Sequence, residues 1–263
     1  MTNRRTPPPV PLRALFAALT AAALLLTPGL TPRTQAQVPT PESVIGWEPG
    51  ADYRLADYDQ LREYFRQVAD ASDRVELEQI GTSAEGRAMW MAKISTPENL
   101  ANQERYREIA RRLAMAEDLT DEEARQLASE GKAVVWIDAG LHATEVATAQ
   151  HSPKLLYRLA TGEDVETRRI LEDAIVLLMP FMNPDGLDIV VDWYEQNLGT
   201  EFETAPLPVL YHKYVGHDNN RDWFMNLMPE TRAVTAQLWH RWYPQIVYNH
   251  HQTGPFPSRI FVP

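Results

Sequence analysis

The sequence has no cysteine and few basic residues, and each of these absences excludes a class of protein. Without cysteine among its 263 residues, the chain can form no disulfide, thiolate zinc site or cysteine nucleophile. Any metal site therefore has to use His, Asp and Glu. The 25 Lys and Arg are outnumbered by 36 Asp and Glu, which gives a formal net charge of −11. Because nucleic-acid and anionic-membrane binders need clustered cations, we expect neither kind of partner.

Long apolar runs are also absent, apart from one near the start of the chain. Arginines precede the run from Ala14 to Leu26, and small residues follow it as far as Ala36. A run of about thirteen residues is shorter than the roughly 20 that a membrane-spanning helix needs. The order of these segments predicts a signal peptide over residues 1–36. We therefore expect a secreted or periplasmic protein without stable membrane insertion after cleavage; an uncleaved anchor is the alternative.

The remaining chain divides into a short linker and one domain. Residues 37–51 are rich in Pro and polar side chains and are typical of a linker, so the domain is expected over residues 52–263. Its first part has apolar residues at helical spacing and then at alternating spacing. The predicted elements are a helix from Asp57, an antiparallel strand pair at residues 74–80 and 87–95, and one or two amphipathic helices within residues 97–132.

The second part of the domain alternates short apolar runs with helical segments. The runs are 133–139, 174–179 and 245–248, and their β-branched composition favours strands that are covered on both faces. Helices are expected between them at residues 144–161 and 163–171 and, before the last run, at 230–242. This alternation is typical of an α/β fold with a mainly parallel sheet, whose sites lie beyond the carboxyl ends of the strands.

Polar residues of a special kind follow each of these three runs. His142 and Glu145 follow the first, the sequence Asn-Pro-Asp-Gly at residues 183–186 follows the second, and His250 and His251 follow the third. Two ligands close in sequence plus one distant His is the arrangement of a catalytic zinc with an open water position. The alternatives are a surface pair at a helix start for the first motif and a plain β-turn for the second. Either His250 or His251 could be the third ligand.

Together, these motifs resemble those of the zinc metallocarboxypeptidases of the carboxypeptidase A and B type. The resemblance includes an Asn-Arg pair at Asn220 and Arg221, and an opening hairpin, QIGTSAEGRAMWMAKIST, at residues 79–96. It extends from Asp52 to the end of the chain and corresponds to the amino-terminal two-thirds of the family's catalytic domain. It implies a three-layer α/β/α fold with a mixed, mainly parallel sheet that lacks its carboxyl-terminal elements.

The resemblance also implies a role for each matched residue. His142, Glu145 and His251 would hold one Zn²⁺ per chain, and the ion would activate a water for peptide hydrolysis. Asp218 would orient the ring of His142 from behind. The pair formed by Asn220 and Arg221 would grip the free carboxylate of a peptide substrate. The implied protein is a secreted metallocarboxypeptidase that removes C-terminal residues from peptides or proteins.

Two departures from the family pattern bear on activity. The family's carbonyl-polarising Arg is absent between Asn183 and Asn220, where Lys213 is the sole Lys or Arg and a candidate substitute at the oxyanion. The family's general-base Glu lies well beyond the last zinc ligand, and this chain ends twelve residues after His251. We therefore expect an incomplete catalytic domain that binds metal and turns over slowly.

Two other functions agree with the same residues. One is a zinc-dependent deacylase or amidase that acts on acylated amino acids or cell-wall peptides, because such enzymes share the His, Glu, His set. The other is a noncatalytic module that binds zinc or peptide ends. The hairpin motif and the Asn-Arg pair favour the peptidase.

Overall fold

A five-stranded mixed sheet organises the chain in the computed structural model, which describes residues 37–213 and 216–253. The strands lie in the order β1-β2-β4-β3-β5. Strands β3, β4 and β5 are parallel to one another, and β2 runs antiparallel to both β1 and β4. This arrangement confirms the predicted mixed sheet. The strands are β1 (Val75–Thr82), β2 (Ala88–Ile94), β3 (Ala133–Asp138), β4 (Ala174–Met179) and β5 (Ile246–Asn249).

Helices precede the sheet and connect its strands. In chain order they are α1 (Pro41–Ile45), α2 (Tyr58–Ala71), α3 (Pro97–Ala101), α4 (Gln103–Met115), α5 (Asp121–Glu130), α6 (Val146–Thr161), α7 (Val165–Asp173), α8 (Pro184–Asn197) and α9 (Pro229–Gln237). A 3₁₀ turn spans Asn219–Arg221, and a π-helical turn spans Leu238–Trp242 directly after α9. Among the described residues, no helix is both long enough and apolar enough to cross a bilayer.

The sheet has a hydrophobic cluster on each face, which confirms the predicted α/β/α layering. Val176 and Leu178 of β4 belong to the cluster that includes α2 and α6, and Leu177 and Met179 belong to the cluster that includes α4 and α9. Successive side chains of a strand point to opposite faces, so one strand contributes to both cores. All six residues of β4 are buried, as its unbroken apolar sequence predicted.

Helix α2 forms where the apolar spacing predicted it. The Asp57 side chain accepts a hydrogen bond from the Gln60 N–H at 2.8 Å, and the Gln60 side chain accepts from the Asp57 N–H at 3.1 Å. This reciprocal cap satisfies two amide groups that a helix start leaves unpaired. Leu61 and Phe65 lie one turn apart on the buried face, so the helix packs against the sheet.

Helix α8 was missed by the sequence analysis. The alternative interpretation of Asn-Pro-Asp-Gly as a plain β-turn is wrong, because the motif begins this 14-residue helix. The Asn183 side chain accepts from the Gly186 N–H at 2.9 Å, and Pro184 occupies the first turn. Asn is a favoured cap and Pro a favoured first residue, but Gly in the first turn conceals the start of the helix.

Strand β5 differs from the prediction that both of its faces are covered. Ile246, Val247 and Tyr248 are 55%, 44% and 50% exposed. Within the described part of the chain, β5 pairs with β3 alone and forms one edge of the sheet. An apolar composition indicates which residues can be buried, whereas strand order determines whether anything covers them.

Two other predicted segments contain more structure than expected. Helix α1 lies inside the predicted linker, where Ile45 is 3% exposed and joins the core cluster that contains α2. Residues 97–132 form three helices instead of one or two. Asn102 ends the first of them and begins the second.

Candidate metal centre

The candidate metal ligands lie where two neighbouring parallel strands end. β3 ends at Asp138, and the loop that follows it carries His142 and Glu145. β5 ends at Asn249, opposite Asp138, and His251 follows two residues later. Because β3 and β5 are parallel and adjacent, their carboxyl ends bring all three side chains to one edge of the sheet.

The Glu145 carboxylate lies between the two imidazoles. Its Oε1 is 2.9 Å from His142 Nδ1, and its Oε2 is 3.0 Å from His251 Nδ1. Candidate ligand atoms of the three residues all lie within 4.8 Å of one another. We call these three residues the His–Glu–His cluster. None of them is fully buried, so the cluster is open to solvent in the described structure.

The far side of each imidazole also has a polar partner. His142 Nε2 lies 3.1 Å from Asp218 Oδ1, and His251 Nε2 lies 3.3 Å from Asn220 Nδ2. Burial opposes ionisation of Asp218, but hydrogen bonds from the Asn220 N–H and from His142 outweigh it and lower the pKa of this carboxyl. An ionised Asp218 holds the proton of His142 on Nε2, which leaves the Nδ1 lone pair facing the cluster.

The chemistry of this donor set fits zinc. Two imidazole nitrogens and one carboxylate are the ligands of many catalytic zinc sites, and they leave a fourth position open. Both Nδ1 atoms face the same carboxylate. A divalent cation placed among them would meet three converging groups, although His251 would first have to move its proton from Nδ1 to Nε2 and turn the Asn220 amide away. Glu145 Oε2 also accepts the Gln252 N–H at 2.9 Å, which fixes the carboxylate from the chain that carries His251.

Two amide side chains that sequence reasoning missed hold the loops of the cluster. Asn219 is 2% exposed, and its Nδ2 donates to the carbonyl of Leu141, next to His142. Gln252 Oε1 accepts the Ala147 N–H at 3.0 Å, which ties the two ligand-bearing segments together. Nothing in the sequence distinguishes these residues from ordinary surface amides.

The Asn-Pro-Asp-Gly motif contacts the segments that carry Tyr211 and Ala143. Asn183 Nδ2 donates to the carbonyl of Tyr211 at 2.8 Å. A Cβ on Gly186 would lie 2.6 Å from that carbonyl oxygen and 2.8 Å from Ala143 Cβ, so the close approach requires glycine. The Tyr211 ring centroid lies 6.4 Å from that of His142, and burial raises the pKa of the Tyr211 hydroxyl to about 12.

The β1–β2 turn is fastened to the start of α8. Asp185 accepts hydrogen bonds from the Ser83 hydroxyl at 2.7 Å and from Arg87 at 2.9 Å, and Arg87 also bonds Asp188 at 2.8 Å. In the same turn, Glu85 forms an ion pair with Lys213. The Lys213 ammonium, predicted as a candidate cation for the oxyanion, therefore contacts a carboxylate of the turn.

Arg221 and Asn220, the predicted substrate-binding pair, lie directly beside the cluster. The Asn220 side chain bonds His251 through Nδ2 and accepts the Trp223 indole N–H at 2.9 Å through Oδ1. The Arg221 side chain is exposed and bonds the Asn220 carbonyl at 3.0 Å. The Arg221 side chain has no other hydrogen bond within the part of the chain that the structure describes.

The neighbouring histidines have other surroundings. The His250 ring stacks on Tyr248 with a centroid distance of 5.2 Å and lies 5.0 Å from the His151 ring. His217 Nε2 lies 2.8 Å from the buried carboxylate of Asp222. Glu145 Oε2 lies 3.0 Å from His251 Nδ1, and among the described residues Glu145 has no hydrogen bond to His250. That His251 and not His250 binds the metal stays a prediction.

A buried carboxylate, Asp138, lies behind the cluster at the end of β3. It accepts hydrogen bonds from the Trp136 indole N–H at 2.7 Å and from Asn249 Nδ2. It is 1% exposed, and burial raises the pKa of this carboxyl to about 6. An acidic residue that ends the apolar run AVVWID was the one sequence signal for this group.

Comparisons with known proteins identify the family and the fold. A family model described as zinc carboxypeptidase matches residues 61–255, and the chain therefore belongs to the zinc carboxypeptidase family. Carboxypeptidase A from Helicoverpa armigera is similar in structure, with 16% identity, a TM-score of 0.50, and coverage of 81% of this chain and 52% of its own. The metallo-carboxypeptidase from Burkholderia cenocepacia matches with 19% identity, a TM-score of 0.47, and coverage of 73% of this chain and 40% of its own.

The family model shows the family, and the likeness to the Helicoverpa armigera enzyme shows the fold. No curated protein matches the chain. The chain spans about half the length of the carboxypeptidases whose structures resemble it. At identities below one fifth, structural similarity carries the fold alone, so the reaction has to be argued from the site.

Proposed function

We propose that this protein is a zinc-dependent metallocarboxypeptidase that hydrolyses the C-terminal peptide bond of peptides with a free carboxylate. The observation that carries the proposal is the His–Glu–His cluster, in which one carboxylate faces the Nδ1 atoms of both imidazoles. The family to which the chain belongs supports it.

The cluster and its neighbour Asp218 have separate tasks in this proposal. His142, Glu145 and His251 would hold one zinc ion per chain, and Asp218 would keep His142 in the tautomer that presents Nδ1. Bound zinc polarises a carbonyl oxygen and lowers the pKa of water to about 7. The exposed side of the cluster gives a peptide bond access to that water.

Recognition of the free carboxylate is assigned to Arg221 together with Asn220. A guanidinium binds a carboxylate through two parallel hydrogen bonds, and this geometry distinguishes a free C-terminus from an amide. Asn220 also contacts His251, so a carboxylate held here would lie near the cluster. A Lys213 role at the oxyanion would require its ammonium to leave Glu85.

Export from the cytoplasm is also part of the proposal. Its support is the order of charged, apolar and small residues over positions 1–36, a segment that lies outside the described residues. Sequencing the amino terminus of the protein recovered from the culture medium or periplasm tests it. A mature start near Gln37 is the expected result, and an intact Met1 contradicts it.

The function is tested by measuring zinc content and peptide cleavage on the full chain. We expect about one zinc per chain, lost in His142→Ala and His251→Ala, and retained in the control His240→Ala, whose imidazole lies on the π-helical turn away from the cluster. A peptide with a free C-terminus should be cleaved and its C-terminal amide should not. Arg221→Ala should raise KM for the free peptide.

The other two functions are outcomes of the same assay. Cleavage of an N-acyl amino acid in preference to a free peptide would identify a deacylase. Stoichiometric zinc without turnover of either substrate would identify a binding module. A wild-type chain that binds no zinc would contradict the peptidase, because the proposal depends on the metal.

A further inference from the structure

Strand β5 is attached to β3 by an amide side chain at each end. At its start, Gln245 Oε1 accepts the Val134 N–H at 2.7 Å, and the Gln245 N–H donates to the Val134 carbonyl at 3.0 Å. At its end, Asn249 Nδ2 donates to Asp138 Oδ1, and the His250 N–H donates to the Asp138 carbonyl at 3.0 Å. One clamp lies far from the cluster and the other lies next to it.

These clamps matter because β5 has little else to hold it. It has four residues, its apolar side chains are exposed, and among the described residues β3 is its one strand partner. A short edge strand with few buried contacts opens at low cost in free energy. His251 follows two residues beyond its end, so opening of this strand would move a ligand.

Burial of the Asp138 carboxylate costs free energy, and two hydrogen bonds offset part of that cost. It is 1% exposed, and the contacts of its two oxygens are the Trp136 indole N–H and the Asn249 amide. A buried carboxylate is tolerated when donors satisfy it, and bonds to a charged acceptor are stronger than neutral ones. The Trp136 bond orients one oxygen and leaves the other to hold β5.

We infer that the Asp138–Asn249 pair positions His251 for metal binding by fixing the end of β5 against the end of β3. The two residues are direct partners in the strand register, and the two ligand-bearing segments begin immediately after them. Neither residue contacts the metal position in this assignment; both are positioning residues. The inference rests on the proposed zinc site.

The two clamps provide a matched pair of variants. Asn249→Ala removes the side-chain bond beside the cluster, and Gln245→Ala removes the side-chain bond at the other end of the same strand. The zinc dissociation constant is measured by competition with a chromogenic chelator, and the melting temperature is measured without metal. We expect Asn249→Ala to weaken zinc binding about 10- to 100-fold, as loss of a ligand-orienting partner does. Gln245→Ala should change it less than about threefold, with a similar or larger drop in melting temperature.

An exchange of the two side chains tests whether zinc affinity depends on the hydrogen bond between positions 138 and 249 and not on which residue stands at each position. In the double variant Asp138→Asn with Asn249→Asp, Asn at position 138 still accepts from the Trp136 indole through its oxygen and donates to the carboxylate at position 249. We expect zinc affinity within about threefold of wild type. Asp138→Leu, which removes both acceptors, should bind zinc as weakly as Asn249→Ala or more weakly.

Three results would overturn the inference. Equal zinc affinities for Asn249→Ala and Gln245→Ala would show that general loosening of β5 is responsible. A wild-type affinity in Asn249→Ala would show that the pair does not act on His251. Absence of zinc binding by the wild-type chain would contradict the proposed function and this inference together, whereas the first two results leave the proposed function intact.

Discussion

At the residue scale, individual hydrogen bonds determine the positions of the three side chains of the His–Glu–His cluster. The Glu145 carboxylate lies against both imidazoles, with Oε1 2.9 Å from His142 Nδ1 and Oε2 3.0 Å from His251 Nδ1, and it accepts the Gln252 N–H. The imidazoles are in turn held by Asp218 and Asn220 on their outer sides. The three side chains are thus held close to one another before any cation binds.

Asp218→Asn should weaken zinc binding about tenfold or more. The amide keeps the shape of the side chain but removes the charge that makes His142 a better donor to a cation. The dissociation constant is obtained by chelator competition, with Asp173→Asn, an exposed acid at the end of α7, as the control. An affinity equal to that of wild type would show that Asp218 does not act on His142.

The buried carboxyl of Asp138 should make stability depend on pH. Its pKa is about 6 in the folded chain, against about 3.9 in an unfolded one, so the folded state holds this proton more tightly. Its contribution therefore favours folding at pH 4 and is lost as the pH rises through 6. Relative to Asp138→Asn, the wild-type free energy of unfolding should fall by about 1 to 3 kcal/mol between pH 4 and pH 7.

Urea titrations at four pH values in that range, with a chelator present, measure this difference. Because both proteins share every other titratable group, the difference isolates Asp138. A difference that stays constant, or that grows with pH, contradicts the assignment.

At the scale of secondary-structure elements, the ion pairs of Arg87 hold the β1–β2 turn against α8. Arg87 bonds both Asp185 and Asp188, and the Asp185 side chain is 7% exposed. Arg87→Ala leaves a largely buried carboxylate without its cation, so the free energy of unfolding should fall by about 1 to 3 kcal/mol. Chemical denaturation measures it.

The control for this variant is Arg66→Ala on α2. Arg66 also pairs with two carboxylates, Glu63 and Asp70, but its side chain is 54% exposed. An exposed pair contributes less than about 1 kcal/mol. Equal losses in the two variants would show that burial of Asp185 does not matter.

Metal binding should be visible at the scale of the whole molecule as thermal stabilisation. A ligand that binds the folded state alone, at a free concentration 100 times its dissociation constant, adds about 2.7 kcal/mol. For a chain of this size, this corresponds to a melting temperature about 5 to 10 °C higher. Calorimetry with zinc and with a chelator measures the shift. His251→Ala should abolish it, and an undiminished shift in that variant would place the metal elsewhere.

Much of the fold could be predicted because it follows from local pattern. The spacing of Leu61 and Phe65 predicted α2, and the unbroken run of β4 predicted a strand with both faces covered. α8 was missed because Gly186 in its first turn is a local sign against a helix. That glycine is required by contact with Tyr211 and Ala143, which are distant in sequence or on another loop.

The candidate site was predictable to a similar extent. His142 and Glu145 stand three residues apart, which is a weak signal by itself, and the prediction of a ligand pair came from the distant His251 and the other motifs. Asn219 and Gln252 could not be found, because an amide acquires its role from the carbonyl or N–H that the fold brings to it. Asp138 lies between these cases. The sequence shows an acidic residue at the end of an apolar run, but it does not show that Asn249 is the hydrogen-bond partner of that residue.

The sequence by itself determined the absence of thiol chemistry, the acidic charge, the alternation of strands and helices, and the order of the polar motifs. These depend on composition and on periods of two or 3.6 residues, which are local properties. Only the tertiary structure decided that β3 and β5 are neighbours, that β5 is exposed, and that Glu145 faces His251 and not His250. Strand order and side-chain facing depend on contacts between residues more than 100 positions apart, and no local pattern records them.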